Sequence, residues 1–258
     1  MTIQQALRLG VADARLLLAE ATGFSQASLL AFPERELPPE AEARFHEFAE
    51  RRKKGEPLAY IVGHKEFYSL DLAVNPAVLI PRPETELLVE LALQRKPSSI
   101  LDLGTGSGAI ALAIKKHLPE AKVTAVEASA ASLVVAQRNA AKHGLDVEFL
   151  HGQWLRPVDR RFDLIVSNPP YVAENDPHLA ELGYEPRSAL VSGADGLDAI
   201  REICRGARPH LNPGGWLLLE HGMGQDGAVR ALLERAGLES VASWPDLAGI
   251  PRVSGGKA

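Results

Sequence analysis

Ile100-Leu101-Asp102-Leu103-Gly104-Thr105-Gly106-Ser107-Gly108 is a short apolar run that breaks into three alternating glycines. An amphipathic stretch follows at once, so the segment reads as strand, turn, helix. Glycine reaches backbone conformations closed to other residues and lets a ligand press against bare main chain. In an open α/β sheet such a turn lies at the carboxyl end of a strand, where ligands bind. Outward from this point, strands are predicted at 99–103, 122–127, 146–150, 162–167, 215–220 and 239–244. Helices are predicted at 108–117, 130–143, 196–209 and 225–236. The last carries Val229, Leu232, Leu233 and Ala236 on one stripe. Apolar strands alternating with amphipathic helices specify an α/β fold with a doubly wound, mostly parallel sheet.

Toward the amino terminus the pattern becomes helical. Thr2 caps a predicted helix running to about Ala21, with Leu7, Val11, Ala14, Leu17 and Leu18 at helical spacing. Gly23 breaks it. Pro38 and Pro39 open a second helix that buries Ala41, Phe45, Phe48 and Ala49 and stops before Gly55. The run Arg51-Arg52-Lys53-Lys54 falls in its last turn. It is read either as a solvated end favoured by the helix dipole or as a contact for an acidic partner or RNA. From Lys65 to Ile80 the alternation of Phe67, Leu70, Leu72, Val74 and Val78 suggests a β-hairpin or extended linker. Glu84 or Thr85 then starts another helix. The expected division is a helical substrate-recognition domain at 1–65, a β-hairpin linker at 66–82 and a catalytic α/β domain at 83–258.

Composition narrows the function classes. The 258 residues are 46% hydrophobic and 24% charged, the balance of an ordinary globular protein. No apolar run approaches the roughly 18 residues of a membrane span. No export signal is read at Met1 to Gly10, so a cytoplasmic protein is expected. Cys204 is the one cysteine. It excludes an internal disulfide and is expected in a helix as a small core residue. With one cysteine and no histidines in ligand spacing, no metal site is expected. A net charge of −5, from 28 basic and 33 acidic residues, weighs against a duplex nucleic-acid grip.

The glycine turn by itself would suit a nicotinamide enzyme or a tight structural bend. Three features favour S-adenosylmethionine. The spacing is Gly-x-Gly-x-Gly and not Gly-x-Gly-x-x-Gly. Asp102 stands just before the turn, where it could orient the loop or the cationic methionine portion. That charge would repel a diphosphate. Glu127, at the end of the second strand, can accept both hydroxyls of a ribose.

The strand at 162–167 runs directly into Asn168-Pro169-Pro170-Tyr171. Two prolines fix two φ angles and remove two N–H donors, so the turn is stiff and rich in open carbonyls. An amide or aromatic NH2 is a poor nucleophile because its lone pair is delocalised. The side-chain carbonyl of Asn168 and the main-chain carbonyl of Pro169 can each accept one of its hydrogens. That aims the nitrogen at an incoming methyl group, and Tyr171 can stack on the planar acceptor. Positioning supplies much of the acceleration, and the same two oxygens stabilise positive charge developing on nitrogen. The plainer alternative is a rigid proline turn with a packed tyrosine.

These residues resemble the bacterial release factor glutamine methyltransferase family over nearly the whole chain. The resemblance is carried by Gly55-Glu56-Pro57-Leu58-Ala59-Tyr60-Ile61, Leu79-Ile80-Pro81-Arg82-Pro83-Glu84-Thr85-Glu86, Asp102 to Gly108 and Ser167 to Tyr171. Tyr184-Glu185-Pro186, Ala189-Leu190 and Gly214-Gly215 before Leu217 to Gly222 also fit. The Asn-Pro-Pro-Tyr element is shared with adenine- and guanine-methylating enzymes, whereas Arg82 to Glu86 is far more specific. The resemblance implies a seven-stranded Rossmann-like methyltransferase sheet and, as substrate, the glutamine of the Gly-Gly-Gln loop in class 1 peptide chain release factors. It implies that Gly104, Thr105, Gly106, Ser107, Gly108, Glu127, Trp154 and Asn168 contact S-adenosylmethionine, which leaves as S-adenosylhomocysteine. It implies that Asn168, Pro169, Pro170 and Tyr171 hold the amide and that the helical domain helps hold the release factor. The plainer reading of Trp154 is a packed core residue. Two departures stand out: Glu127 where the family commonly has Asp, and Gln153 where Asp often precedes the tryptophan. A monomer without stable nucleic-acid binding is expected. The rivals are a glutamine methyltransferase of a ribosomal protein, a base-amino methyltransferase, which must extract its base, and a non-catalytic binder of S-adenosylmethionine.

Overall fold

The computed structural model describes all 258 residues, which form two compact units, Met1–His64 and Lys65–Ala258. The first unit holds five helices: α1 Ile3–Leu7, α2 Ala14–Thr22, α3 Gln26–Ala31, α4 Pro39–Lys53 and α5 Leu58–Val62. Thr2 does cap α1, through a capping box closed by Gln5. The single helix expected from Thr2 to Ala21 is nevertheless two. Gly10 and Asp13 both have positive φ, at 66° and 60°, and a right-handed helix cannot pass through that region. The break lets α1 and α2 fold against each other and bury Ile3, Ala6, Leu17 and Leu18 with Leu29, Phe45 and Phe48 in one core.

The basic end of α4 is mostly consumed within its own unit. Arg51 makes a two-pronged bond to Glu56 at 2.9 and 2.6 Å, and Arg52 reaches Asp13 at 2.9 Å. Lys53 pairs with Glu50 at 2.8 Å. Arg51 thus ties down the turn after α4, Arg52 reaches the residue that precedes α2, and Lys53 pairs along α4 itself.

The chain enters the second unit along a hairpin, β1 His64–Phe67 and β2 Leu70–Ala73, followed by α6 Glu86–Gln94 behind a single 3-10 turn at Pro83–Thr85. The main sheet then alternates with helices: β3 Ser99–Leu103, α7 Ala109–His117, β4 Lys122–Glu127, α8 Ala130–His143, β5 Glu148–His151 and β6 Phe162–Ser167. It continues with α9 Asp198–Ala207, β7 Leu211–Glu220, α10 Asp226–Arg235, β8 Glu239–Pro245 and β9 Pro251–Lys257. The spatial order is β5-β4-β3-β6-β7-β9-β8. The first five are parallel, and β9 runs antiparallel between β7 and β8.

Successive strand residues point to opposite faces, and the core divides accordingly. On one face Ile100 packs with α6, α7 and the hairpin residues Phe67, Leu70 and Leu72. On the other, Leu101 and Leu103 pack with Ile200, Ile203 and Cys204 of α9 and Val229 and Leu233 of α10. Cys204 is buried as expected, and burial pushes its thiol up to about 12.

The strand β9 lies outside the predicted set. Its Pro251-Arg252-Val253-Ser254-Gly255-Gly256-Lys257 reads locally as a turn. Its glycines are required by packing: a Cβ on Gly255 would stand 2.5 Å from Leu218 and 2.6 Å from the Leu217 carbonyl.

Candidate functional site

The strand order reverses around β3, whose neighbours are β4 on one side and β6 on the other. A crevice therefore opens above their carboxyl ends. The register sets those ends level: Leu103 pairs with Val126 and with Ser167, and Ser167 pairs with Leu219. A cavity of about 340 Å³ sits there.

One wall is the glycine turn. The amides of Gly104 and Thr105 both donate to the carbonyl of Val126, at 2.9 and 3.0 Å, which pins the loop to β4. Gly104, Gly106 and Gly108 have φ of 72°, 57° and 85°. Only glycine adopts such values without strain. Gly104, Thr105, Gly106 and Ser107 line the cavity, whereas Gly108 turns the chain into α7 behind it. The helix expected from 108 starts at Ala109 for that reason. Buried Asn139 of α8 braces the loop by donating to the Ser107 carbonyl at 2.9 Å and to that of Ala73 at 3.0 Å.

Asp102 does not line the cavity. It is fully buried beneath the loop and accepts from the Thr105 hydroxyl at 2.6 Å. Burial, with Glu127 nearby, raises its carboxyl to about 7 against that stabilising hydrogen bond. Of its two sequence roles, this geometry suits orienting the loop.

Glu127 lines the cavity at the end of β4. Its oxygens accept from the amides of Gly106 and Ser129, each at 2.9 Å. A carboxylate has roughly four acceptor directions, so room remains for two hydroxyls. Beside it lie Gly152, Gln153 and Trp154. Trp154 holds a left-handed φ of 49°, costly for a bulky residue, and its ring rests against Gly104. A Cβ on Gly104 would approach that ring to 3.2 Å.

The opposite wall is the proline turn. Asn168 and Pro170 line the cavity; Pro169 is buried, and Tyr171 sits just outside the lining set. The Asn168 amide nitrogen donates to the Thr85 hydroxyl at 3.1 Å. The Tyr171 hydroxyl turns away, toward the carboxylate of Glu220 at 3.4 Å, and burial raises its pKa. Gln225 clamps the Tyr171 carbonyl at 3.0 Å.

Sequence reading missed several lining residues. Arg82 and Thr85 precede α6, and Pro186, Ser188 and Ala189 come from the loop between β6 and α9. Glu185 draws these two segments together. Its buried carboxylate accepts from Arg82 and, at 3.0 Å, from the Ile80 amide. Both segments carry recognisable motifs, but nothing local in them announces their pairing.

Residues 83–182 match the Methyltransferase small domain family, and residues 4–63 match the PrmC N-terminal domain family. The release factor glutamine methyltransferase of Xylella fastidiosa is 50% identical over 253 residues, covering 95% of this chain and 92% of the relative. That of Burkholderia pseudomallei is 49% identical over 95% of this chain and 91% of its own. That of Bordetella pertussis is 50% identical over 95% and 93%. Among solved structures, a methyltransferase from Pyrococcus furiosus superposes with a TM-score of 0.60 at 22% identity, covering 84% of this chain and 96% of that one. A Thermus thermophilus 16S rRNA N2 G1207 methyltransferase, solved with S-adenosylmethionine and guanosine, gives 0.57 at 22% identity, over 75% and 49%. These two likenesses establish the fold.

Proposed function

The chain belongs to the release factor glutamine methyltransferase family, and on that premise we propose that it methylates the side-chain amide nitrogen of the glutamine in the Gly-Gly-Gln motif of class 1 peptide chain release factors. The methyl donor is S-adenosylmethionine. The observation that carries the reading is the shared cavity: Asn168 faces the same space as Gly104, Gly106 and Glu127.

The cavity fits such a donor. Bare backbone at Gly104 and Gly106 offers close approach, and beyond its own chain neighbours nothing lies within 4 Å of where a Gly106 Cβ would stand. Glu127 would take the ribose hydroxyls, and Trp154 with Gln153 would flank the adenine. Bound there, S-adenosylmethionine supplies an electrophilic sulfonium methyl group and leaves as S-adenosylhomocysteine.

The chain's own part is orientation. The Asn168 amide nitrogen is occupied by Thr85, so its carbonyl oxygen is the group left for an acceptor. With the Pro169 carbonyl it would hold both hydrogens of a glutamine NH2. Held so, the nitrogen lone pair would point into the cavity toward the donor's methyl group, and after transfer the proton would pass from nitrogen to solvent. No strong base is needed before transfer. The helical unit, Met1–His64, would help recognise the release factor.

The test is labelled methyl transfer to three acceptors: a release factor, its Gln-to-Ala variant, and DNA. Label on the first alone is the expected result. Label on DNA and none on the release factor would overturn the substrate assignment.

A further inference from the structure

The two prolines of the Asn-Pro-Pro-Tyr turn fix φ but leave ψ free, and ψ decides where each carbonyl points. A turn that must aim a carbonyl therefore needs both of its ends held. The entry is held by β6, where the Ser167 hydroxyl donates to the Leu103 carbonyl at 2.6 Å. The exit is held by the side chain of Gln225, at the start of α10. Its Nε2 donates to the Tyr171 carbonyl at 3.0 Å and to the Asp195 carbonyl at 3.2 Å. Its Oε1 accepts from the Gly222 amide at 2.8 Å. The turn after β6, the loop before α9 and the turn after β7 thus meet at one side chain.

The sign of each contact is fixed. A main-chain carbonyl can only accept, and a main-chain N–H can only donate. One planar group must offer two protons on one side and a lone pair on the other, which among side chains only a carboxamide does. The amide also sits in a slot lined by glycine. A Cβ on Gly196 would overlap the Tyr171 carbonyl oxygen and stand 2.8 Å from Gln225 Nε2. A Cβ on Gly222 would stand 3.0 Å from Gln225 Oε1 and 3.4 Å from Cδ2 of Tyr171. The tyrosine ring therefore rests against main chain that Gln225 itself holds.

We propose that Gln225 is a positioning residue for the amide-methylating reaction: it anchors Tyr171 by main chain and by ring, and so holds the Pro169 carbonyl and the tyrosine face where the acceptor NH2 must meet them. This rests on the methyl transfer proposed above and adds to it the group that holds the exit of the turn. Gln225 does not line the cavity, so it acts through the turn and not on the donor.

The experiment is single-turnover transfer of labelled methyl to a release factor by the full chain carrying Gln225→Met or Gln225→Glu, with wild type and Asp226→Ala alongside. Met keeps the volume and removes all three hydrogen bonds. The rate constant should fall about tenfold, the scale of one lost hydrogen bond felt in the transition state, while amplitude and S-adenosylhomocysteine affinity stay within about twofold. A merely structural loss would instead lower the amplitude, because it removes folded molecules and leaves the survivors as fast. Asp226 pairs with Arg230 at 3.3 Å in the first turn of the same helix. Its replacement should lower Tm without slowing transfer. In Gln225→Glu the ionised carboxylate turns lone pairs on two carbonyls, which favours its protonated form, and that form can again donate one proton. The ratio of its rate constant to that of wild type should therefore rise as pH falls from about 8 to about 5. A rate constant within about threefold of wild type in Gln225→Met, a loss confined to amplitude, or equal slowing in Asp226→Ala would overturn the proposal. So would a ratio for Gln225→Glu that does not change with pH, the arm that decides if the Met variant does not fold. A wild-type enzyme unable to label the release factor would instead sink the functional reading itself, and this inference with it.

Discussion

Replacing Asn168 with Ala removes one of the two oxygens proposed to hold the acceptor amide, and the structure permits a magnitude. Asn168 makes one hydrogen bond to the rest of the protein, 3.1 Å to Thr85, so its loss should destabilise the fold by only about 1 kcal/mol. In a chain of this size that is a fall of about 2–4 °C in Tm. The catalytic loss should be far larger. Deleting one preorganised group aimed at developing charge costs about 100- to 1,000-fold in kcat, roughly 2.7–4 kcal/mol. Cofactor binding should weaken only modestly, since Gly104 to Ser107 and Glu127 remain in the cavity. The assay is single-turnover transfer of labelled methyl to a release factor, with S-adenosylhomocysteine affinity measured separately by calorimetry. A variant that transfers methyl within about threefold of wild type, while its Tm confirms the fold, would show that the turn does not hold the amide as argued.

Other perturbations probe the remaining walls. Gly104→Ala and Gly106→Ala each force a left-handed residue, at about 1–2 kcal/mol, but only the first meets the Trp154 ring, at 3.2 Å. Both should weaken S-adenosylhomocysteine binding, and only Gly104→Ala should shift the Trp154 indole NMR signal in the free protein; equal shifts would contradict the geometry. Asp102 has a folded pKa near 7 against an ordinary 3.8, so the folded state holds its proton more tightly and stability is lost as pH rises between those values. Asp102→Asn should therefore gain stability relative to wild type from pH 5 to pH 8, on the order of 2–3 kcal/mol, seen as diverging Tm curves; parallel curves would refute the assignment. Leu17→Ala empties a fully buried site in the helical core, and should cost about 2–5 kcal/mol. Hydrogen exchange should report that loss in the helices of Met1–His64; unchanged protection there would place Leu17 outside the cooperative core.

Much of the molecule was legible locally. Periodicity located six strands of the main sheet and its helices to within a few residues, because strand and helix each impose a side-chain repeat on the sequence. Boundaries moved where a single residue had the last word: Gly108 at φ 85° delays α7 to Ala109, and β7 begins early, at Leu211. Gly10 and Asp13 split the first helix because backbone sign outranks apolar spacing. The short helices α3 and α5 span six and five residues, too few for a period to declare itself.

The cavity divides in the same way. The glycine turn, Glu127 and the Asn-Pro-Pro-Tyr turn could be found from the chain alone, since each is a local device: bare backbone, a strand-end carboxylate, a stiff run of carbonyls. The partners that orient them could not. Thr85 lies 83 residues from Asn168, and Glu185 lies 103 from Arg82. The aromatic ring of Tyr171 was legible as a platform for the acceptor, but the group that holds its hydroxyl, Glu220, lies 49 residues away. Nor did any local pattern mark β9, whose Gly255 is glycine only because β7 passes 2.5 Å from its missing Cβ. Local chemistry writes elements and motifs into the sequence; burial and register choose which distant side chains meet, and that choice exists only once the sheet is assembled.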